Sequence, residues 1–181
     1  MIRILVILFV ACINVRAGIR EEMLEYHNAY RNGLLTGSET RQPKATKMPM
    51  LTWNKDLAAN AQKHVDKCVY KHNTAAERKV PGFTYVGQNL FWGSNASFDN
   101  KVAVKMWYEE IVNYDYKTMS CKGVCGHYTQ IVWAATTQIG CGRKVCPDSS
   151  VIIGCDYGQG GNMRGQRPYE INDLIVVKKS A

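Results

Sequence analysis

Apolar positions recur every three to four residues at the start of the pattern. Ile19, Met23, Tyr26, Tyr30 and Leu34 line one face of a helix. Gly37-Ser38 closes that segment, and residues 36–49 read as a polar loop with two prolines. A second helix begins at Asn54, a good N-cap, with Asp56 in its first turn. Its inward stripe runs through Leu57, Ala61, His64, Val65 and Cys68, and one turn further to His72. Pro81-Gly82 marks a turn, Gly87 to Trp92 a short apolar stretch, and residues 93–100 a loop. Asp99 caps a third helix with the stripe Ala103, Trp107, Glu110 and Tyr114. Beyond Tyr116 glycine and β-branched residues become frequent. Thr129 to Ala134, Ile139 to Val145, Val151 to Tyr157 and Ile171 to Val177 read as strands. Helices precede strands without βαβ alternation, which predicts an α+β fold: an antiparallel sheet with helices packed on it.

The first residues differ from this texture. Arg3 precedes an apolar run from Ile4 to Val15, and Val15-Arg16-Ala17 ends on a small residue. The run is too short to span a bilayer and reads as a secretory signal over residues 1–17, leaving one domain over 18–181. No other apolar run is long enough to cross a membrane, so the expected location is extracellular. Cleavage removes Cys12, so seven cysteines become six: Cys68, Cys121, Cys125, Cys141, Cys146 and Cys155. An even number in a secreted chain points to three disulfides, with fifteen pairings open. Loss of Arg3 and Arg16 takes the formal charge from +8 to +6. The remaining basic residues are scattered in runs no longer than a pair, which argues against a nucleic-acid groove. Asn95-Ala96-Ser97 is a glycosylation acceptor in the 93–100 loop.

Two stretches resemble the signatures of the CAP superfamily, the cysteine-rich secretory, antigen 5 and pathogenesis-related type that includes venom allergens. They are Gly126-His127-Tyr128-Thr129-Gln130-Ile131-Val132-Trp133 and Cys155-Asp156-Tyr157-Gly158-Gln159-Gly160-Gly161-Asn162-Met163. In the first, Ala134 stands where Ser, Thr or Asn usually follows. In the second, Asp156 and Gln159 are atypical. His27-Asn28-x-x-Arg31, Cys68-x-x-x-His72, Gly87-x-Asn89-Leu90 and Trp107-Tyr108-x-Glu110-Ile111 match in the family's order. The resemblance implies an αβα sandwich with a central antiparallel sheet between helical layers. It also implies the pairings Cys68–Cys146, Cys121–Cys125 and Cys141–Cys155. The chain lacks the cysteine-rich C-terminal module of the cysteine-rich secretory proteins, which argues against ion-channel modulation.

The resemblance further implies a cleft of two histidines and two glutamates. The histidines fall on His72 and His127, and one glutamate on Glu110. The other falls on Gln88, a departure that removes a negative charge. Two neutral imidazoles facing one cleft can bind zinc, and a carboxylate on a ligand's second nitrogen fixes its tautomer. With Gln88 the expectation is a weak divalent-cation site (zinc or magnesium) and no required cofactor. A Cys2His2 zinc set drawn from Cys68, His72, Cys125 and His127 competes with disulfide pairing, which secretion favours. Hydrolysis needs a hydroxyl near a base and an orienting acid. Asn73 follows His72 where a hydroxyl would help, so the expectation is a non-enzyme. His27 is expected in a structural network at the first helix, His64 packed, and the four tryptophans mostly in the core.

Family members bind sterols and fatty acids, so a lipid partner is implied. The loop bracketed by Phe91, Trp92 and Phe98 is one candidate site. A groove between the first and third helices, lined by the Ile19 to Leu34 stripe, is the second. The alternative partner is an extracellular host or receptor protein bound with no lipid role, as an allergen-like immune modulator would.

Overall fold

The structure, a computed structural model, describes residues 18–172. The expected signal segment, Cys12 and most of the expected last strand lie outside the described residues. Of that strand, Ile171 makes an isolated antiparallel bridge with Ala45.

Helix α1 (Ile19–Thr36) ends at Gly37, whose φ of 83° is left-handed and suits glycine. Its buried stripe is Met23, His27, Arg31 and Leu34. A short strand β1 (Thr52–Trp53) leads into α2 (Lys55–Val65). Asn54 caps α2: its side-chain oxygen accepts from the N–H of Asp56 (2.8 Å) and of Leu57 (3.0 Å). Strand β2 (Val86–Gly93) precedes α3 (Asn100–Glu109), where the Asp99 carboxylate accepts from the Val102 N–H at 2.8 Å. A 3₁₀ turn (Glu110–Asn113), the small pair β3 (Tyr114–Asp115) and β4 (Ser120–Cys121), helix α4 (Gly126–Ile131), β5 (Gln138–Val145) and β6 (Val151–Gly158) follow.

The main sheet has the order β1-β5-β6-β2. β6 pairs antiparallel with β5 and β2, but β1 pairs parallel with β5. The sheet is therefore mixed, where an antiparallel one was expected. β6 is buried along its whole length, because helices cover both faces. On one face lies α2. Its backbone comes so close that a Cβ on Gly140 would sit 2.0 Å from the Ala58 nitrogen. On the other face Ile153, Cys155 and Tyr157 join the main core with Met23, Trp107, Tyr108 and Ile131. The three disulfides are Cys68–Cys146, Cys121–Cys125 and Cys141–Cys155, as the resemblance implied. With all six cysteines oxidised, the Cys2His2 alternative falls away.

Three local expectations are corrected. Thr129 to Ala134 is not a strand: α4 takes its first half, through Ile131, and a turn follows. The β-branched residues there are overridden by tertiary contacts. Tyr128 and Ile131 turn into the core one helical turn apart, and the Glu110 carboxylate accepts from the N–H groups of His127 (2.9 Å) and Tyr128 (3.3 Å). The α2 stripe stops at Val65. Cys68 takes a left-handed φ of 53° on its way to Cys146, so Cys68 and His72 lie in a loop. The third stripe breaks after Trp107: Glu110 opens the 3₁₀ turn and Tyr114 sits in β3.

Candidate functional site

The four cleft residues form two pairs beside β2, an edge strand. His127, at the start of α4, has Nδ1 2.6 Å from Glu110 Oε1. Glu110 thus orients the ring with one oxygen and caps α4 with the other. His72 has Nδ1 2.8 Å from Gln88 Oε1. In both pairs Nδ1 meets a side-chain oxygen, which leaves Nε2 as the coordinating atom. Successive strand residues point to opposite faces. Gln88 faces α2 and Asn89 faces α1, and the Asn89 amide donates to the His127 carbonyl at 3.1 Å. The two halves are therefore tied through adjacent residues of β2, and no hydrogen bond joins the two imidazoles directly. Among the described residues no group of three or more His, Cys, Asp or Glu side chains is arranged to hold a metal. The two imidazoles, with Glu110 behind one ring, are the groups that would hold an ion, and water would complete its shell.

Several supports of this arrangement were not read as site residues in the sequence. The His72 loop is tied back by His64, whose Nε2–H donates to the Lys71 carbonyl at 2.8 Å. Arg78 braces it from the other side, donating to the Asn73 carbonyl and side chain and to the Val86 carbonyl. Behind Gln88 lies Asp156, fully buried, which accepts from Gln88 Nε2 (3.0 Å) and from Asn60 Nδ2 (2.7 Å). The signal for it was its departure from the second signature. On the α1 face His27 donates from Nδ1 to the Met23 carbonyl (2.7 Å) and accepts at Nε2 from the Tyr157 hydroxyl (2.8 Å). Asn89 also donates to that hydroxyl (3.1 Å), completing a chain from α1 to α4. Burial lowers the His27 pKa to about 4, so the ring is neutral and structural. His64 is buried as expected.

Burial raises the Asp156 carboxyl to about 6, against the opposing pull of the Asn60 and Gln88 amides and of Arg78. A raised folded-state value means the folded chain takes up a proton before the unfolded chain does. The contribution is fully present below about pH 4 and is lost as pH rises through about 6. Asp156→Asn removes this dependence. Urea unfolding at pH 4 and pH 7.5 should show the variant gaining about 2–3 kcal/mol on the wild type over that interval. Parallel pH profiles would contradict the assignment.

The hydroxyls nearest in sequence to the histidines are engaged elsewhere. Thr74 donates to Glu77 (3.1 Å), Ser120 pairs with Thr118 (2.8 Å), and Thr129 donates to Asn162 (2.6 Å). Among the described residues no Ser or Thr hydroxyl is hydrogen-bonded to His72 or His127.

The three aromatic residues of the proposed lipid loop separate. Phe91 is core, and Phe98 packs on it with ring centroids 5.7 Å apart. Trp92 points to the opposite face and is 47% exposed, so the expectation that all four tryptophans are mostly core fails for it. Opposite Trp92 on β6 is Ile152, which clusters with Val65, Cys68 and Cys146. Next to Cys68, Val69 and Tyr70 are 53% and 56% exposed. In the Ile19 to Leu34 stripe, Met23 and Leu34 are buried in the core, while Ile19, Tyr26 and Tyr30 are half-buried, Tyr30 stacked on Tyr108 of α3 with ring centroids 3.8 Å apart. A separate open cavity of about 990 Å³, whose lining includes Lys47, Trp133, Arg167 and Tyr169, holds none of the four cleft residues.

Among the described residues no helix is long and apolar enough to cross a membrane. The chain is 38% identical over 143 residues to glioma pathogenesis-related protein 1 of Mus musculus, covering 78% of this chain and 53% of that protein, about half its length. It is 36% identical over 158 residues to scoloptoxin SSD976 of Scolopendra dehaani, covering 85% of this chain and 75% of the toxin. Among solved structures, Schistosoma mansoni venom allergen-like protein 4 superposes with a TM-score of 0.76 at 32% identity, covering 84% of this chain and 94% of that one. NaASP2 with Zn2+ superposes with a TM-score of 0.72 at 30% identity, covering 84% and 85%. The profile of the cysteine-rich secretory protein family, CAP, matches residues 24–157, and with the disulfides and the α4 and β6 signatures in place the chain belongs to that family.

Proposed function

We propose that this chain is a secreted, non-enzymatic CAP protein that binds a sterol or fatty acid, with a weak divalent-cation site in the adjacent cleft. The observation that carries the reading is the exposure of Trp92, whose cross-strand partner Ile152 packs with Cys68 and Cys146, and of Val69 and Tyr70, which follow Cys68 in the chain. Large apolar side chains gathered on a surface mark an interaction site, and a tryptophan offers a flat face to a rigid lipid. Phe91, in the core, and the half-buried Phe98 packed on it support the base of the same loop. The engagement of nearby hydroxyls elsewhere supports binding over hydrolysis. Asn95, exposed in the 93–100 loop, is available for a glycan, which would be bulky and solubilising beside this surface.

The test is binding of labelled cholesterol to oxidised, glycosylated protein, with zinc or magnesium present and then chelated. Saturable binding is expected, weakened roughly tenfold or more in Trp92→Ala, the equivalent of about 1.4 kcal/mol. Metal dependence would implicate His72 and His127. No saturable binding in either condition would favour the alternative, an extracellular modulator whose partner is a host or receptor protein.

A further inference from the structure

Gln88 and Asp156, two departures from the family pattern, are direct cross-strand partners on β2 and β6. Cross-strand partners project on the same face of the sheet. Here that is the α2 face, and their side chains are hydrogen-bonded at 3.0 Å. The carboxylate missing at position 88 is thus present one residue deeper, under the strand. We propose that Asp156 is a positioning residue for His72, acting through Gln88 to set which ring nitrogen carries the proton.

The chemistry follows from donor and acceptor counting. An ionised carboxylate accepts only, so the Gln88 face toward Asp156 must be its NH2 group. The amide oxygen then faces His72, at 2.8 Å from Nδ1. An oxygen there requires Nδ1 to be the donor. The proton sits on Nδ1, and Nε2 keeps its lone pair on the exposed side of the ring. The second Asp156 oxygen is held by Asn60 of α2 at 2.7 Å, so the carboxylate cannot rotate without breaking a bond to a helix. His127 reaches the same state more directly, through Glu110 at 2.6 Å. Two different devices therefore place both imidazoles in the Nδ1–H form. Without Asp156 the Gln88 amide has no reason to prefer one orientation. Once flipped, its NH2 group would demand an acceptor at Nδ1 and move the proton to Nε2, the atom a cation would need.

This relay rests on reading His72 as a cleft ligand, but its test can be run without metal or lipid. Ring 15N shifts of His72, recorded at about pH 8 where imidazoles are neutral, report the tautomer. The wild type is expected in the Nδ1–H form. Asp156→Leu is expected to shift it toward Nε2–H, the form that free histidine side chains favour. The double variant Gln88→Glu/Asp156→Asn should restore Nδ1–H: the new glutamate accepts from the ring directly, and the new asparagine donates to it while still accepting from Asn60. A wild-type ring in the Nε2–H form would overturn the proposal. So would an Asp156→Leu protein that stays folded with its tautomer unchanged. Where Asp156→Leu does not fold, the double variant decides, because every buried partner in it remains satisfied and loss of its Nδ1–H form would overturn the relay. Zinc alone serves as the second probe, with affinity expected to fall about tenfold in Asp156→Leu. The predicted tautomers in a protein that binds no zinc would uphold the relay and remove the ligand reading instead.

Discussion

Replacing Arg31 by methionine is expected to cost about 3–5 kcal/mol of stability, the sum for several buried carbonyls that lose their donor at about 1–3 kcal/mol each. Arg31 is 0% exposed. Its guanidinium donates to the Pro49 carbonyl through Nε (2.9 Å) and Nη2 (2.6 Å), to Ile131 and Trp133 through Nη1 (2.9 Å each), and to Thr136 through Nη2 (3.0 Å). It is a charged plug for four carbonyls that no β-ladder satisfies. Burial alone pulls its pKa down to about 10, still well above neutrality, so it remains a cation. Methionine fills much of the volume but donates nothing; the Trp133 carbonyl keeps the Thr136 N–H at 3.1 Å, and each buried carbonyl left without a partner costs about 1–3 kcal/mol. Guanidinium unfolding gives the number. A loss under about 1 kcal/mol would mean that water replaces the guanidinium. Because the Ile131 carbonyl ends α4 and those of Trp133 and Thr136 follow it, the variant should also loosen the segment that carries His127.

The second large effect is expected at Cys68–Cys146. These cysteines are 78 residues apart, against 14 for Cys141–Cys155 and 4 for Cys121–Cys125. In the chain-entropy account a cross-link stabilises by restricting the unfolded chain, and more so for longer loops. Removing the longest should cost about 4–5 kcal/mol, the shortest about 2 kcal/mol. Paired alanine variants compared by thermal melting would establish the order, and an equal or reversed order would show that native-state contacts dominate. The Cys68–Cys146 variant should also lose cholesterol binding, because that bridge anchors the start of the loop that carries Val69, Tyr70 and His72.

Helical stripes and caps were legible because they are local. Asn54 and Asp99 cap as their side chains predict, and Met23 and Leu34 bury as their spacing predicts. Misreadings occurred where a distant residue changed the local outcome. Residues Thr129 to Ala134 carry strand composition, but Thr129 to Ile131 are wound into a helix whose first amides are capped by Glu110, 17 residues away from His127. The α2 stripe was extended to His72 because periodicity does not reveal that Cys68 must turn toward Cys146. Phe91 and Trp92 looked like one aromatic cluster, yet adjacent strand residues face opposite sides of a sheet.

By itself the sequence determined the first three helices, the Asn54 and Asp99 caps, the α+β order and, through its motifs, the family and the disulfide pairing, and it nominated four cleft residues. Each of these depends on residue type at short spacing or on a pattern of many matches in order. Only the tertiary structure decided that the sheet is mixed and that Trp92 is exposed while Phe91 is core. It alone set Asp156 behind Gln88, because that pairing joins strands 68 residues apart and depends on register and burial. A carboxylate's role is fixed by what surrounds it in space, and spacing along the chain carries no record of that.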